Sequence, residues 1–251
     1  TINAMLAAVF AEGMTTIHNA AKEPHIVDLA NFLGSMGAWV KGAGTDIIRI
    51  RGGRPLHGST YAIIPDQIET GTLMIAAAAT GGDVVITDAI PYHMESLSAK
   101  LLEMGMYVHD EDDHIHVRGE GILRGINVKT QYYPGFPTDA GPVAVAMLAS
   151  AEGTSVFVEN IFENRYRYID ELNRFGTKIK TEGKTAVIEG VGELSGAHAK
   201  ATDLRGGAAL VVAALKAHGA SEIGDTHHIE RGYEKITERL SSLGADISYK
   251  R

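Results

Sequence analysis

The sequence predicts an α/β (α+β) fold built from one pattern repeated four times. Helical and strand periodicities alternate along the chain, and glycines punctuate them at near-constant spacing. In each copy an apolar, Ala-rich helical run ends at a first glycine: Gly13, Gly82, Gly153 and Gly219. A short β-branched strand follows, then a second helical run ending at Gly37, Gly105, Gly176 or Gly244, then one or two alternating strands. The second glycines are 68, 71 and 68 residues apart. Helices commonly stop at a left-handed residue, for which glycine is the usual choice.

The first unit covers residues 1–52. Ile2, Leu6, Val9 and Phe10 recur at helical spacing, Thr15 to Asn19 reads as a strand, and Ile26 to Met36 as a helix. Ala38 to Ile50 reads as two strands around a Gly-rich turn. Gly52-Gly53-Arg54-Pro55 breaks the pattern, so residues 53–64 are expected to be a linker. Residues 65–251 then hold three further units as one block. Their strand signals include Asp83-Val84-Val85-Ile86, Thr154 to Val158, and Ala245-Asp246-Ile247-Ser248. A lone unit of about fifty residues rarely stabilises itself. The chain also opens at Thr1-Ile2-Asn3 already inside a helical pattern, so upstream sequence is expected.

Of the 251 residues 45% are hydrophobic and 22% charged, ordinary values for a globular protein. The net charge of −8 argues against general nucleic-acid binding, which needs a basic surface. A few local arginines would still suffice for a small anion. The longest clear apolar stretch, Ala208 to Leu215, suits a buried helix and falls short of the roughly 18 residues that span a membrane. With no cysteine there are no disulfides or thiolate metal sites in this chain.

Three units begin their first helix with an aspartate: Asp66, Asp139 and Asp203. Each suits an N-cap, and Asp66 with Glu69 has the spacing of a capping box. Related helix N-termini that converge would instead focus positive potential on an anion. Asp139 also follows the irregular loop Tyr132-Tyr133-Pro134-Gly135-Phe136-Pro137, a site-building kind of segment. Arg205 lies in a first helical turn, where a cation opposes the helix dipole unless an anion faces it. Phe162-Glu163-Asn164-Arg165 and the run from His227 to Tyr233 follow equivalent strands in the third and fourth units. His114 and His116 share one strand face and read as solvated histidines. No metal site is expected.

Several runs together resemble the UDP-N-acetylglucosamine enolpyruvyl transferases. They are Thr1 to Met5, Asn19 to Pro24, Ile26 to Leu33, Gly42 to Asp46, Phe136 to Asp139, Phe162 to Arg165, Ala201 to Arg205 and Arg231 to Glu234. The resemblance runs through essentially the whole chain, in family order. It implies an inverted α/β barrel of repeated βαβαββ units, three to a domain. This chain would hold the last unit of a first domain, the linker, and all three units of the second. The implied reaction moves the enolpyruvyl group of phosphoenolpyruvate to the 3-hydroxyl of UDP-N-acetylglucosamine and releases phosphate. That is the committed step of peptidoglycan synthesis, hence of cell-wall biogenesis, cell shape and division, and it is cytoplasmic and cofactor-free.

By the same resemblance Asp139 and Arg231 are catalytic. Asp139 contacts the sugar hydroxyl and helps remove its proton, and Arg231 contacts phosphoenolpyruvate or phosphate. Ile161, Phe162, Arg165, Asp203, Arg205, Glu23 and Asp66 are implied as further substrate-binding positions. A mobile catalytic loop is implied upstream, so the chain alone is expected to be inactive. Gln67 stands where the family often has arginine. Ala140-Gly141-Pro142-Val143-Ala144 replaces a glutamine-containing turn. Those departures leave open a non-catalytic nucleotide-sugar-binding paralogue, or a transferase with another hydroxyl acceptor.

Overall fold

A computed structural model describes residues 1–250, which divide into two compact units: 1–65 with 132–135, and 66–131 with 136 onward. The first unit runs helix α1 (Ile2–Ala8), strand β1 (Gly13–His18), helix α2 (Pro24–Ser35), β2 (Trp39–Lys41) and β3 (Ile47–Gly52). Proline opens α2 at little cost, because the first helical N–H has no partner in any case. The antiparallel sheet has the order β1-β3-β2. Its middle strand sends Ile48 and Ile50 into a core with Met5, Val9, Ile26 and Leu33. Residues 53–65 form neither helix nor strand. Leu56 packs on this core, and the Tyr61 hydroxyl donates to Asp28 Oδ1 at 2.7 Å. Ile2 and Leu6 of α1, with Phe10 just beyond it, leave apolar side chains in solvent at four-residue intervals.

The second unit repeats the theme three times. The first repeat has α3 (Gln67–Thr80), β4 (Asp83–Thr87), α4 (Pro91–Glu103), β5 (Tyr107–Glu111) and β6 (His114–Arg118). The next has β7 (Val128–Lys129), a 3-10 turn at Thr138–Ala140, α5 (Gly141–Leu148), β8 (Thr154–Val158), α6 (Ile169–Asn173), β9 (Lys178–Glu182) and β10 (Thr185–Glu189). The last has β11 (His198–Lys200), α7 (Leu204–Lys216), β12 (Glu222–Gly224), α8 (His227–Glu230) and α9 (Ile236–Ser242). The leading helices α3, α5 and α7 pack on one another. Every residue of α5 is buried, as is α7 from Gly206 to Ala213. A helix apolar on all sides belongs at a centre rather than a surface.

The sheets surround these helices. In each complete hairpin the later strand is central, β6 between β4 and β5, and β10 between β8 and β9. The two-residue period sends Ile115 and Val117, then Ala186 and Ile188, into the core at 0% exposure. His114 and His116 take the opposite face of β6. There His114 meets Glu111 and Asp113, and His116 meets Asp83. Parallel pairs β7–β8 and β11–β12 bracket α5 and α7, as a helical crossover requires.

Two sequence expectations need correction. Seven of the eight repeat glycines have φ between +84° and +98°, but Gly82 does not; Gly81 takes the left-handed cap of α3 at φ 74°. The strand expected at Ala245 to Ser248 does not form. Strands exist by pairing. The last repeat has no antiparallel middle strand among the described residues, so this segment packs Ala245 and Ile247 on the core without a ladder.

Two glycines separate backbone strain from steric contact. A Cβ at Gly176 (φ 84°) meets nothing within 4 Å, so Gly176→Ala should cost only left-handed strain, about 1–2 kcal/mol. A Cβ at Gly190 would lie 1.7 Å from the Ala151 carbonyl oxygen, so Gly190→Ala must move backbone and should cost clearly more. Urea midpoints of the two variants check the order, and equal midpoints would contradict it.

Candidate active site

The three aspartates that look equivalent in sequence take two different jobs. Asp66 caps α3, its Oδ1 accepting from the Ile68 N–H at 2.8 Å. Asp203 caps α7, its Oδ1 accepting from the N–H groups of Arg205 at 3.0 Å and Gly206 at 2.9 Å. Asp139 caps nothing. It sits in the 3-10 turn ahead of α5, whose own N-cap position is Ala140. Its carboxylate instead accepts from two guanidiniums, Arg165 Nη2 to Oδ1 at 2.7 Å and Arg205 Nη2 to Oδ2 at 3.2 Å. Helix N-termini are therefore not the anion focus expected at α3 and α7, because their own aspartates occupy the first donors. Glu69 does not turn back on the cap either; its Oε1 accepts from Arg239 Nη1 at 2.7 Å.

Asp139, Phe162, Arg165, Asp203, Arg205 and Arg231 line one open cleft of about 500 Å³. Glu163, Asn164, Arg167 and Leu204 complete its wall. Four arginines face three carboxylates there, a local positive excess on a chain of net charge −8. The cations differ in freedom. Arg205 is largely buried, donates to Tyr233 OH at 3.3 Å and lies over that ring at 5.6 Å. Burial alone would lower its ionisation, but Tyr233 and Asp139 outweigh it and hold Arg205 above the usual range. Arg165 lies 5.3 Å over the Phe162 ring. Arg231, at the C-terminal end of α8, is exposed and has no side-chain partner among the described residues. It and Arg167, which is likewise exposed, are the cleft cations most available to an incoming anion.

Behind this wall stand tyrosines to which the sequence analysis assigned no role. Tyr233 is buried, and its hydroxyl also meets Thr72 Oγ1 of α3 at 2.9 Å, which ties Arg205 to the central helices. Tyr168 is fully enclosed and burial pushes its phenol far up. Burial likewise pushes Tyr166 up to about 12, so it stays a neutral donor to the carbonyls of Phe157 and Lys184. Tyr233 belongs to the Arg231-Gly232-Tyr233 run, which was the available signal. Nothing local marks Thr72 or Arg167.

The remaining expected residues lie outside this wall. The Ile161 N–H is already taken, donating to Glu159 Oε1 at 2.8 Å. Asp66 is used as a cap. Glu23 belongs to the first unit, at the N-cap position of α2, makes no side-chain cap bond, and has Oε2 buried without a partner.

Comparison with known proteins adds the family. A family profile described as EPSP synthase (3-phosphoshikimate 1-carboxyvinyltransferase) matches residues 1–240. UDP-N-acetylglucosamine 1-carboxyvinyltransferase 3 of Caldanaerobacter subterraneus subsp. tengcongensis is 58% identical over 247 residues, 98% of this chain and 59% of that protein. UDP-N-acetylglucosamine 1-carboxyvinyltransferase 2 of Bacillus subtilis is 54% identical, with 98% and 58% covered. Among solved structures, the enolpyruvyl transferase NikO from Streptomyces tendae matches with a TM-score of 0.83 at 27% identity, over 98% of this chain and 59% of that one. EPSP synthase from Acinetobacter baumannii shares the fold, with a TM-score of 0.77 at 24% identity and 98% and 60% covered. The chain thus spans about three-fifths of the length of the relatives it matches. With a mixed α/β fold of the enolpyruvyl transferase type and a family match through residue 240, this chain belongs to the EPSP synthase family of carboxyvinyltransferases.

Proposed function

We propose that this chain is part of an enzyme that moves the enolpyruvyl group of phosphoenolpyruvate to the 3-hydroxyl of UDP-N-acetylglucosamine and releases phosphate. The observation that carries the reading is the Asp139 carboxylate clasped by Arg165 and Arg205 in a cleft where Arg231 stands free. Its support among relatives is the 52–58% identity to proteins named for that acceptor. On this reading the fold is an inverted α/β barrel of βαβαββ repeats. Residues 1–52 end one domain, 53–64 link, and 65–251 form the other. The exposed stripe of Ile2, Leu6 and Phe10 then faces the rest of the first domain, the other part of the same protein. We place the reaction in the cytoplasm, in peptidoglycan synthesis, with no cofactor. No helix of the described residues is long and apolar enough to cross a membrane.

The chemistry follows from charge. The hydroxyl oxygen must bond to the enolpyruvyl carbon, the carbon–oxygen bond to phosphate must break, and the hydroxyl proton needs an acceptor. Asp139 supplies that acceptor. Guanidinium forks suit both a phosphate and a carboxylate, and they remain charged throughout. Two of them, Arg165 and Arg205, neutralise Asp139 in the structure. An arriving anion competes for Arg165 and Arg205, which frees carboxylate lone pairs as the hydroxyl arrives. Asp203 orients the α7 end that carries Arg205. Phe162, and the backbone beside Ile161, border the sugar. Glu23 and Asp66 are proposed as substrate-binding on the family resemblance alone.

The test is phosphate release by this chain joined to the segment of the Bacillus subtilis relative that it does not span, called the assembled protein below. Phosphate release dependent on both substrates is expected. Binding of the nucleotide sugar without turnover would favour the non-catalytic reading, and turnover only with a different hydroxyl compound would reassign the acceptor.

Two substitutions separate the roles. Asp139→Asn should lower turnover by roughly 10²–10⁴-fold, because asparagine is a far poorer base. The thermal midpoint should fall only modestly, because asparagine still offers the two guanidiniums an acceptor although it removes their counter-charge. Near-normal turnover would withdraw the proton-acceptor role. Arg231→Ala removes a charge-assisted contact worth about 1.5–3 kcal/mol. The Michaelis constant for phosphoenolpyruvate should therefore rise about ten- to a hundredfold while affinity for the nucleotide sugar is kept. Unchanged kinetics for phosphoenolpyruvate would make Arg231 an ordinary surface residue.

A further inference from the structure

One position breaks the repeat. The residue directly after the strand that follows a repeat's leading helix is Asn19 after β1, Asp88 after β4 and Asp225 after β12, each left-handed with φ between 52° and 57°. Short polar side chains suit that conformation. After β8 the same place holds Glu159, which is not left-handed and is 1% exposed. A buried carboxylate is costly unless hydrogen bonds replace its water. Here they do. Oε1 accepts from Thr130 Oγ1 at 2.9 Å and from the N–H groups of Ile161 at 2.8 Å and Phe162 at 3.1 Å. Oε2 accepts from Thr138 Oγ1 at 2.8 Å. Thr130 in turn accepts from the Asn160 N–H at 2.8 Å.

These donors come from three separate segments. Thr130 follows β7, Thr138 precedes Asp139 in the 3-10 turn, and Ile161 and Phe162 begin the loop that carries Arg165. The turn and the loop are joined a second time on the cleft side, by the Asp139–Arg165 ion pair. That outer link is the one an anionic substrate competes for. The inner link through Glu159 is buried and has no such competitor.

We infer that Glu159 is a positioning residue. It fixes the Asp139 turn against the Arg165 loop, so that Asp139 keeps its place when substrate draws Arg165 away. The catalytic half of this inference rests on the proton-acceptor reading of Asp139; the geometric half does not.

The test uses Thr138→Val, which cuts only the Oε2 arm, and Glu159→Gln, which removes charge but preserves the tether. A glutamine carbonyl can serve the three donors of Oε1, while its amide N–H can donate to the Thr138 hydroxyl. In Thr138→Val the Asp139 carboxyl ¹³C and Arg165 side-chain ¹⁵N signals should shift, while hydrogen-exchange protection at Ile161 and Phe162 is retained. In the assembled protein Thr138→Val should lower kcat about ten- to a hundredfold, with little change in KM for the nucleotide sugar. Glu159→Gln should be the milder variant in both readouts. Unmoved signals in Thr138→Val, a kcat that falls only in step with thermal stability, or a Glu159→Gln defect larger than that of Thr138→Val would each overturn the inference. Should the unsubstituted assembled protein show no transfer, the proposed activity falls, and the resonance shifts alone decide whether Glu159 positions the pair.

Discussion

Mutual burial of α3, α5 and α7 is the constraint on which the second unit depends. Each is the leading helix of a repeat, and each is apolar around most of its circumference, so none is stable facing water. Packed together, they fix where their N-terminal ends lie. Asp66, Asp203 and the turn bearing Asp139 are placed by that packing. The sheets then cover the outer helical faces with alternating inward residues, Ile115 and Val117 in one hairpin, Ala186 and Ile188 in another.

The site arises where the repeats stop being equivalent. In two of them the aspartate satisfies its own helix. In the third a 3-10 turn displaces it by one step, and its carboxylate is left to arginines. A second departure lies behind the first, where Glu159 replaces the short left-handed residue used elsewhere. Both departures fall in the repeat with the irregular aromatic loop. The function proposed above thus uses a small deviation from a structure that is otherwise repetitive, held by hydrogen bonds that the repeat itself does not need.

The repeat was legible because glycine spacing and apolar periodicity are local properties. Left-handed backbone at Gly37, Gly105, Gly176 and Gly244 follows from helix termination alone. The segment after Gly244 looked the same and formed no strand, because strands need partners and sequence does not show a missing one. In the site, Asp139, Arg165, Arg205 and Arg231 were legible from charge type, loop context and family resemblance. Which aspartate caps and which pairs was not, since Asp66 and Asp139 differ mainly in tertiary surroundings. Thr72 and Glu159 look like an ordinary helix threonine and an ordinary loop glutamate. Only burial and distant partners give them weight.

The Thr72–Tyr233 contact joins residues 161 positions apart, and Arg205 hangs from it on the cleft side. Contacts of that separation form late, because chain entropy must be lost before they contribute. Helices and hairpins of single repeats can therefore form while the cleft still lacks its fixed guanidinium. On the proposed function, anion affinity at this wall would then be a kinetic marker of closure. It should rise with the last slow phase of folding rather than with the early appearance of helix.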